Sequence, residues 1–356
     1  PKMTKRALII ASPTQGLAGP VSDGERVAGL LEPRGFEIRR CFGPQATRTR
    51  ILSGYQSIIN DADRGDAVVI YYSGHGARSV DEDYTPPNDD VPQKRYHQFI
   101  VPVDLLESSE DDFRGILSVE LSSLLGRLTA KTRNVTIIFD CCHSGGMTRD
   151  MRLRLKGLSK DWFSGAHAHQ QRLLRGEVPG FDVEHVSVTD NPFAVRLMAA
   201  LPSQQAWEYE GPSGAYGLMT DALVTSFEES EGRPVTWNEI KRRVRELVQR
   251  LEPGQYPDIE GPSGRFVFDL EEADLTGIVP VESFDDGPKL MGGRLLGVEP
   301  GDRYVIMPAG FQKVDRKHSI AEATVTHVSG AWSLVKLDPE IGGDSLPTGA
   351  QAFPSS

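Results

Sequence analysis

The chain alternates short apolar runs with longer segments that carry one apolar face. Leu121, Leu124 and Leu128 fall at helical spacing and predict an amphipathic helix. Five runs predict strands, several of them apolar throughout as in a parallel sheet buried on both faces: residues 6–11, 36–42, 66–72, 135–140 and 195–201. This alternation predicts an α/β sheet with helices on both faces and ligands at the carboxyl ends of the strands.

The pattern changes after about residue 270, where strand-like runs with glycine and proline turns replace the helical periodicity. We therefore predict a main domain over residues 1–270 and a small β-rich domain of unknown role over residues 271–356. Inside the main domain, residues 147–194 show no regular pattern, and we expect a basic, irregular linker loop there. Between Thr148 and Glu177, seven Lys or Arg residues stand against three acids.

Composition narrows the class of protein. A formal net charge of -11 over 356 residues argues against a nucleic-acid binder, which needs a basic face. No apolar run approaches the roughly 18 residues of a membrane span, and the first apolar stretch is too short for a secretory signal. The 3 cysteines suit a reducing compartment and a free thiol. We expect a cytoplasmic monomer that binds neither nucleic acid nor membranes.

Two of the predicted strands end in glycine-rich polar turns. His75 lies between two glycines just after residues 66–72, and Cys141 and Cys142 follow residues 135–140. Parallel strands end at one edge of a sheet, so a histidine and a thiol should meet there, as nucleophilic catalysis by cysteine requires. Adjacent strand residues point in opposite directions, so we expect Cys141 to pack in the core and Cys142 to face His75. The amides of Gly76 and Cys142 are the predicted oxyanion donors.

Metal binding is the alternative for these residue types. A zinc site built from His75, Cys141, Cys142 and His143 would lack the usual C-x-x-C spacing. His167 and His169 could bind a metal weakly, although a solvated loop explains them as well. We predict no metal in the catalytic site and no required cofactor, and leave Ca²⁺ activation open because one loop offers several hard oxygen ligands without ordered spacing: Asp81, Glu82, Asp83, Asp89 and Asp90.

The motifs "YYSGHG" and "DCCHSGG", about 65 residues apart and in this order, resemble the two signatures of the caspase-like cysteine peptidases, especially the metacaspases and the bacterial orthocaspases. The resemblance extends from about Arg6 to Phe268. It implies a three-layer α/β/α sandwich with a mostly parallel central sheet, and an endopeptidase that acts on proteins or peptides. His75 would be the base, and Cys142 the nucleophile that forms the acyl-enzyme.

The resemblance also predicts which side chain should precede the cleaved bond. Asp140 stands where metacaspases hold an aspartate that binds arginine or lysine, and a carboxylate pairs strongly with a guanidinium. A second pocket acid is missing from its usual place, because residues 202–204 read Pro-Ser-Gln. Either Glu208 compensates or the pocket is less selective, and Trp207 either forms a wall on the S2 side or simply packs. The predicted substrate-binding residues are Asp140, Ser203, Trp207 and Glu208.

Relatives in this family are often processed in the linker that corresponds to residues 147–194. We therefore expect self-cleavage after one of its basic residues: Arg149, Arg152, Arg154, Lys156, Lys160, Arg172 or Arg175. Two readings compete with the peptidase. One is an inactive caspase-like scaffold that binds protein partners, and the other is a Cys–His acyl hydrolase without proteolytic activity.

Overall fold

The structure is a computed structural model, and it describes residues 3–81, 83–85, 95–142, 153–159, 164–181, 183, 191–201, 204–211, 214–230, 232, 234–272, 277–284, 286–340 and 346–355. The chain forms two compact units. The first comprises residues 1–227, 244–263 and 268–270, and the second comprises residues 228–243, 264–267 and 271–356.

The described helices are α1 (Pro20–Leu31), α2 (Arg48–Asp61), α3 (Ser118–Lys131), α4 (Ser164–Leu174), α5 (Leu218–Glu229) and α6 (Trp237–Leu251). None of these described helices has the length and apolar character that a bilayer crossing requires. The strands of the first unit are β1 (Lys5–Ala11), β2 (Phe36–Phe42), β3 (Ala67–Ser73), β4 (Gly76–Val80), β5 (Tyr96–Ile100), β6 (Ile116–Leu117), β7 (Asn134–Asp140), β8 (Leu153–Leu155), β9 (Gly157–Ser159), β10 (Ala194–Met198), β11 (Trp207–Gly211), β12 (Gly214–Gly217) and β13 (Asp258–Glu260).

The central sheet of the first unit has the strand order β13-β10-β7-β3-β1-β2. Every neighbouring pair in it is parallel except β10 with β13. All five runs predicted as strands lie in this sheet, as β1, β2, β3, β7 and β10, so the predicted mostly parallel sheet is confirmed. Its buried apolar character allows helices to cover both faces.

Two helix glycines show which face each helix covers. A Cβ on Gly54 of α2 would lie 2.9 Å from Leu8 Cδ1, and a Cβ on Gly24 of α1 would lie 3.3 Å from Ala11 Cβ. Leu8 and Ala11 are three residues apart on β1 and therefore point to opposite faces. Helices α1 and α2 thus pack on opposite sides of the sheet, which gives the expected α/β/α layering.

The expectation of an irregular loop over residues 147–194 is wrong for part of that segment. Strand β8 pairs antiparallel with β11, β9 pairs parallel with β4, and α4 follows. Strands of three residues are too short to show a period of two, and their pairing partners lie far away in sequence. The pattern of the segment itself therefore could not predict them.

The second unit contains a closed antiparallel barrel of the strands β14 (Val279–Phe284), β15 (Gly287–Leu290), β16 (Arg303–Met307), β17 (Ala321–Val328), β18 (Ser333–Asp338) and β19 (Gln351–Pro354). Its core includes Leu290, Ile306 and Val325, which are almost fully buried. Pairing of β14 with β19 closes the barrel and leaves no free edge strand. The predicted small β-rich region is confirmed.

Candidate active site

The register of two central strands positions the predicted dyad. Strands β3 and β7 pair continuously from Ala67 opposite Asn134 to Ser73 opposite Asp140. His75 and Cys142 each follow two residues later, and they are 3% and 4% exposed. Both side chains therefore belong to the carboxyl edge of the sheet, shielded from bulk water.

The imidazole of His75 is held in its neutral form. Burial lowers its pKa to about 4, and the Lys156 ammonium adds to that shift. The main chain of Gln15 and Thr14 faces the ring and opposes the shift, although neither makes a hydrogen bond of normal geometry. Among the residues that the structure describes, neither ring nitrogen has a hydrogen-bond partner. A neutral ring has the lone pair that a general base needs, and the low pKa makes this ring a weaker base than an ordinary imidazole.

The two amides predicted as oxyanion donors converge on a single oxygen. The N–H of Gly76 donates to the carbonyl oxygen of Lys156 at 3.0 Å, and the N–H of Cys142 donates to the same oxygen at 3.2 Å. Two N–H groups aimed at one carbonyl oxygen form the geometry that stabilises the oxyanion in acyl transfer. A carbonyl of the chain itself therefore occupies this position.

The side chain of Lys156 fills a closed, acidic pocket. Its Nζ lies 2.9 Å from Ser73 Oγ and 3.3 Å from Oδ2 of both Asp23 and Asp140. Burial alone lowers the pKa of this ammonium, but the Asp140 and Asp23 carboxylates outweigh burial, so the pKa lies above its usual value. Lys156 is therefore charged, although it is completely buried.

Asp23 is a charged pocket residue that the sequence did not predict. It lies in the first turn of α1, and its carboxylate accepts hydrogen bonds from Ser73 Oγ at 2.9 Å and from the Gly217 N–H at 2.9 Å. Burial raises its pKa to about 6, with Lys156 opposing the shift and Asp140 adding to it. An acid in a first helical turn is ordinarily explained by the helix dipole, so its position alone did not mark it as a binding residue.

Asp140 and Gly217 complete the pocket. Oδ2 of Asp140 accepts a hydrogen bond of 2.6 Å from Thr220 Oγ1, whereas its Oδ1 has no partner among the described residues. A Cβ on Gly217 would lie 2.0 Å from Asp140 Oδ2 and 2.7 Å from Lys156 Nζ. Only glycine therefore leaves room for the ammonium beside the carboxylate.

The residues before Lys156 lie as a peptide ligand would. The Lys156 N–H donates to the Ala206 carbonyl at 2.9 Å, and Leu155 lies opposite Trp207 in the β8–β11 pair. Arg154 lies opposite Glu208 in the same pair, and it forms an ion pair of 3.0 Å with Glu210, two residues further along β11. Main-chain pairing of an extended segment with a side-chain pocket at its end is the arrangement that β-strand addition gives to bound peptides.

The other described residues that the sequence predicted for the site lie outside the ion cluster around Lys156. Trp207 is buried beside the strand that carries Leu155. The Glu208 carboxylate accepts from the N–H groups of Ala18 and Gly19 at 3.0 and 2.8 Å, so it holds the turn that leads into α1 and acts on Lys156 only through charge. Cys141 packs in the core beneath the sheet. Ser203, His143, Glu82, Asp89 and Asp90 lie outside the described residues.

Comparison with known proteins identifies the family. Residues 4–267 match the family model described as "Caspase domain". The chain belongs to the caspase-domain family of cysteine peptidases. The caspase domain is 25% identical over 277 residues to metacaspase-3 of Trypanosoma brucei brucei, a match that covers 73% of this chain and 71% of that protein. It is 33% identical over 158 residues to metacaspase-4 of Arabidopsis thaliana, covering 41% of this chain and 34% of that protein.

A solved structure supports the fold of the caspase domain. The crystal structure of a Geobacter sulfurreducens protein superposes with a TM-score of 0.51 at 17% identity, covering 73% of this chain and 93% of that chain. At this identity the likeness concerns the fold alone. Membership in a peptidase family implies that proteins or peptides are the substrates.

We expect Gly217→Ala to destabilise the caspase domain by about 1–3 kcal/mol, because the added methyl group would overlap the buried carboxylate of Asp140. The matched control is Gly29→Ala on the exposed side of α1, where an added Cβ meets nothing within 4 Å and a higher helix propensity should raise stability slightly. Urea denaturation followed by circular dichroism measures both. Equal stability of Gly217→Ala and the wild type would mean that the pocket is wider than this structure shows.

Proposed function

We propose that this caspase domain is an active endopeptidase that cleaves proteins or peptides after Lys or Arg, with Cys142 as nucleophile and His75 as base. The observation that carries the proposal is the position of Lys156. Its ammonium lies between Asp23 and Asp140, while its carbonyl oxygen accepts hydrogen bonds from Gly76 and Cys142. One residue of the chain thus fills the acidic pocket with its side chain and presents its carbonyl oxygen to the two amides, which supports its assignment as the residue before a scissile bond.

The chemistry follows from these groups. The Cys142 sulfur attacks the carbonyl carbon while His75 takes the thiol proton, and the negative charge develops on the oxygen that faces the two amides. His75 then donates the proton to the departing amine, and the C–N bond breaks to leave a thioester. Water, with His75 again as base, hydrolyses the thioester and restores the thiol.

The free oxygen of Asp140 favours Arg at least as much as Lys. Oδ1 has no partner among the described residues while Lys156 is in the pocket. An ammonium presents three donors from a single nitrogen, whereas a guanidinium presents five donors in a planar fork that suits a carboxylate. An Arg side chain therefore has the donors to satisfy the oxygen that Lys156 leaves unpaired.

The test of activity uses peptides based on residues 153–156 of the chain, which read Leu-Arg-Leu-Lys. Fluorogenic peptides ending in Leu-Arg-Leu-Lys or Leu-Arg-Leu-Arg should be cleaved by the wild type, with and without millimolar calcium, and not by Cys142→Ala. Cys141→Ala is the matched control and should retain activity, because Cys141 packs in the core. Mass spectrometry after iodoacetamide treatment should place the adduct on Cys142.

Two other outcomes would each replace the peptidase. If wild type and Cys142→Ala are equally inert on every peptide and both are folded, the domain is a scaffold that binds partners. If the wild type hydrolyses small esters but no peptide bond, it is an acyl hydrolase. An adduct found mainly on Cys141 would reverse the assignment of the nucleophile.

We further propose that the chain cleaves itself between Lys156 and Gly157. Among the basic residues expected as cleavage sites, Arg149, Arg152 and Lys160 lie outside the described residues. Arg154 is paired with Glu210, Arg172 donates to the Asp111 carbonyl, and Arg175 is paired with Glu177. Lys156 alone among the described candidates has its carbonyl at the two amides.

Self-cleavage predicts a specific new amino terminus. Wild-type protein should yield a fragment that begins at Gly157, at a rate independent of protein concentration because the bond already lies in its own site. Lys156→Arg should be cut at the same bond, whereas Cys142→Ala and Lys156→Ala should stay whole. N-terminal sequencing after incubation decides it, and fragments that begin elsewhere, or that also form in Cys142→Ala, would refute the assignment.

Asp23→Asn should lower kcat/KM for Lys and Arg peptides by at least about tenfold at pH 8, or about 1.4 kcal/mol, because it removes one pocket charge. With a pKa of about 6, the wild-type carboxyl takes up a proton as the pH falls through that value. The wild type then loses the same charge, so the deficit in kcat should shrink below about pH 6, when a substrate Lys or Arg occupies the pocket as Lys156 does. The deficit in kcat/KM should shrink from a higher pH, because the free pocket lacks the cation that lowers the pKa of Asp23. Asp140→Asn should show a similar loss at pH 8.

Asp221→Asn is the control for this pH profile, since Asp221 is a half-exposed carboxylate paired with Arg26 on α1. It should keep the wild-type profile. A deficit of Asp23→Asn that is constant from pH 5 to pH 8 would show that Asp23 acts through structure and not through its charge.

A further inference from the structure

A second cluster of potential ligands lies outside the catalytic residues. Asp81 follows β4, His97 lies on β5 and His167 lies on α4, so three separate elements supply the side chains. One oxygen or ring nitrogen from each lies within 4.8 Å of the other two. The catalytic mechanism uses none of these residues.

The distances within the cluster fit a tetrahedral metal ion. His97 Nε2 lies 3.2 Å from His167 Nδ1, and Asp81 Oδ1 lies 3.6 Å from the first nitrogen and 3.7 Å from the second. Ligands about 2.0–2.2 Å from a tetrahedral zinc ion are separated from one another by roughly 3.3–3.5 Å. The three observed separations are therefore close to three edges of such a tetrahedron.

A hydrogen bond of 3.2 Å between His97 Nε2 and His167 Nδ1 explains the approach of the two rings but not the position of Asp81. Nitrogen–oxygen hydrogen bonds measure about 2.7–3.2 Å, which is shorter than either distance from Asp81 to the two histidines. The Asp81 carboxylate is already held by other donors. Its Oδ2 pairs with Arg95 Nε at 2.9 Å, and its Oδ1 accepts from the Asp83 N–H at 3.3 Å. These contacts fix the carboxylate with Oδ1 facing both imidazoles.

Asp83 supplies the outer partner that metal-bound histidines usually have. Its Oδ2 lies 3.2 Å from His167 Nε2, the ring nitrogen that is not part of the three-atom cluster. A carboxylate on the far nitrogen fixes the tautomer and leaves the other nitrogen with a lone pair for a metal. Gln171 Nε2 donates to the same carboxylate oxygen at 2.8 Å and so holds it in place.

We propose that Asp81, His97 and His167 bind a divalent transition metal of the zinc class, with Asp83 positioning His167. Two imidazoles and one carboxylate suit zinc and cobalt, whereas calcium and magnesium prefer sites made wholly of oxygen. Three protein ligands leave a fourth position for water or another ligand. His169, two residues along α4, takes no part, because it contacts Glu120 at 3.1 Å.

The site joins the two segments that flank the active site. Strand β4 begins directly after His75, and β9, which precedes α4, begins directly after Lys156. A metal held by Asp81, His97 and His167 would tie α4 to the β4–β5 hairpin. Metal binding should therefore stabilise the pairing of β9, which follows Lys156, with β4, which follows His75.

The test uses full-length protein carrying Cys142→Ala, which removes the catalytic thiolate as a competing ligand and keeps the chain whole. Titration with Zn²⁺ against a chromophoric chelator should show a site that weakens 10–100-fold in Asp83→Asn and by more than that in His97→Gln or His167→Gln. His318→Gln is the matched control, since this exposed histidine also contacts an aspartate, Asp315, and zinc affinity should not change.

Two further readouts separate a metal site from a change in folding. Co²⁺ should give the visible absorption of a tetrahedral site, and zinc should slow amide hydrogen exchange in α4 and in the β4–β5 hairpin of the Cys142→Ala protein. Both effects should vanish in His167→Gln, while its circular dichroism matches that of the control. Zinc affinity that is equal in His97→Gln, His167→Gln and His318→Gln would overturn the proposal, as would binding of Ca²⁺ in preference to Zn²⁺.

Discussion

The candidate active site depends on one buried ion cluster, in which the Lys156 ammonium lies between the carboxylates of Asp23 and Asp140. Removing these charges from water costs several kcal/mol for each ion, and only close pairing and further hydrogen bonds offset that cost. Ser73 and Thr220 supply such bonds. Burial, with a smaller contribution from Asp140, raises the pKa of Asp23 even with the Lys156 ammonium present, so a cation beside these carboxylates helps to keep both of them charged. In the proposed mechanism, that effect accounts for a preference for a basic side chain.

The pocket and the reacting groups share one structural origin. Ser73 and Asp140 are opposite each other at the ends of β3 and β7, and His75 and Cys142 follow each of them by two residues. A one-residue slip between the strands would reverse which side chains face the pocket. The buried, fully paired strands β3 and β7 thus fix the spacing between the charged pocket and the residues proposed as the dyad, more accurately than a loop could.

The sequence predicted the parts of this site that depend on local pattern. Apolar runs marked the strands, and the glycine-rich turns after two of them marked His75 and Cys142. Asp23 was missed because its role arises only when α1 packs beside the ends of β3 and β7. Lys156 was one basic residue among seven, since nothing around it in sequence indicates that its carbonyl meets two amides. Pairings between distant segments, such as β8 with β11, leave no periodic signal in three residues.

In the proposed mechanism, the contacts of Lys156 both keep the pocket occupied before cleavage and set the preference for a basic side chain. The residues on either side of Lys156 are held by different strands, because β8 pairs with β11 and β9 pairs with β4. While the chain is continuous, Lys156 is presented to the pocket at an effective concentration that a free peptide cannot match. Cleavage after Lys156 would leave β9 on β4 and reduce the β8 segment to an ordinary product strand. The carboxylates of Asp23 and Asp140 would then be open to another Lys or Arg, so under the proposed mechanism a substitution in this pocket would change self-inhibition and substrate choice together.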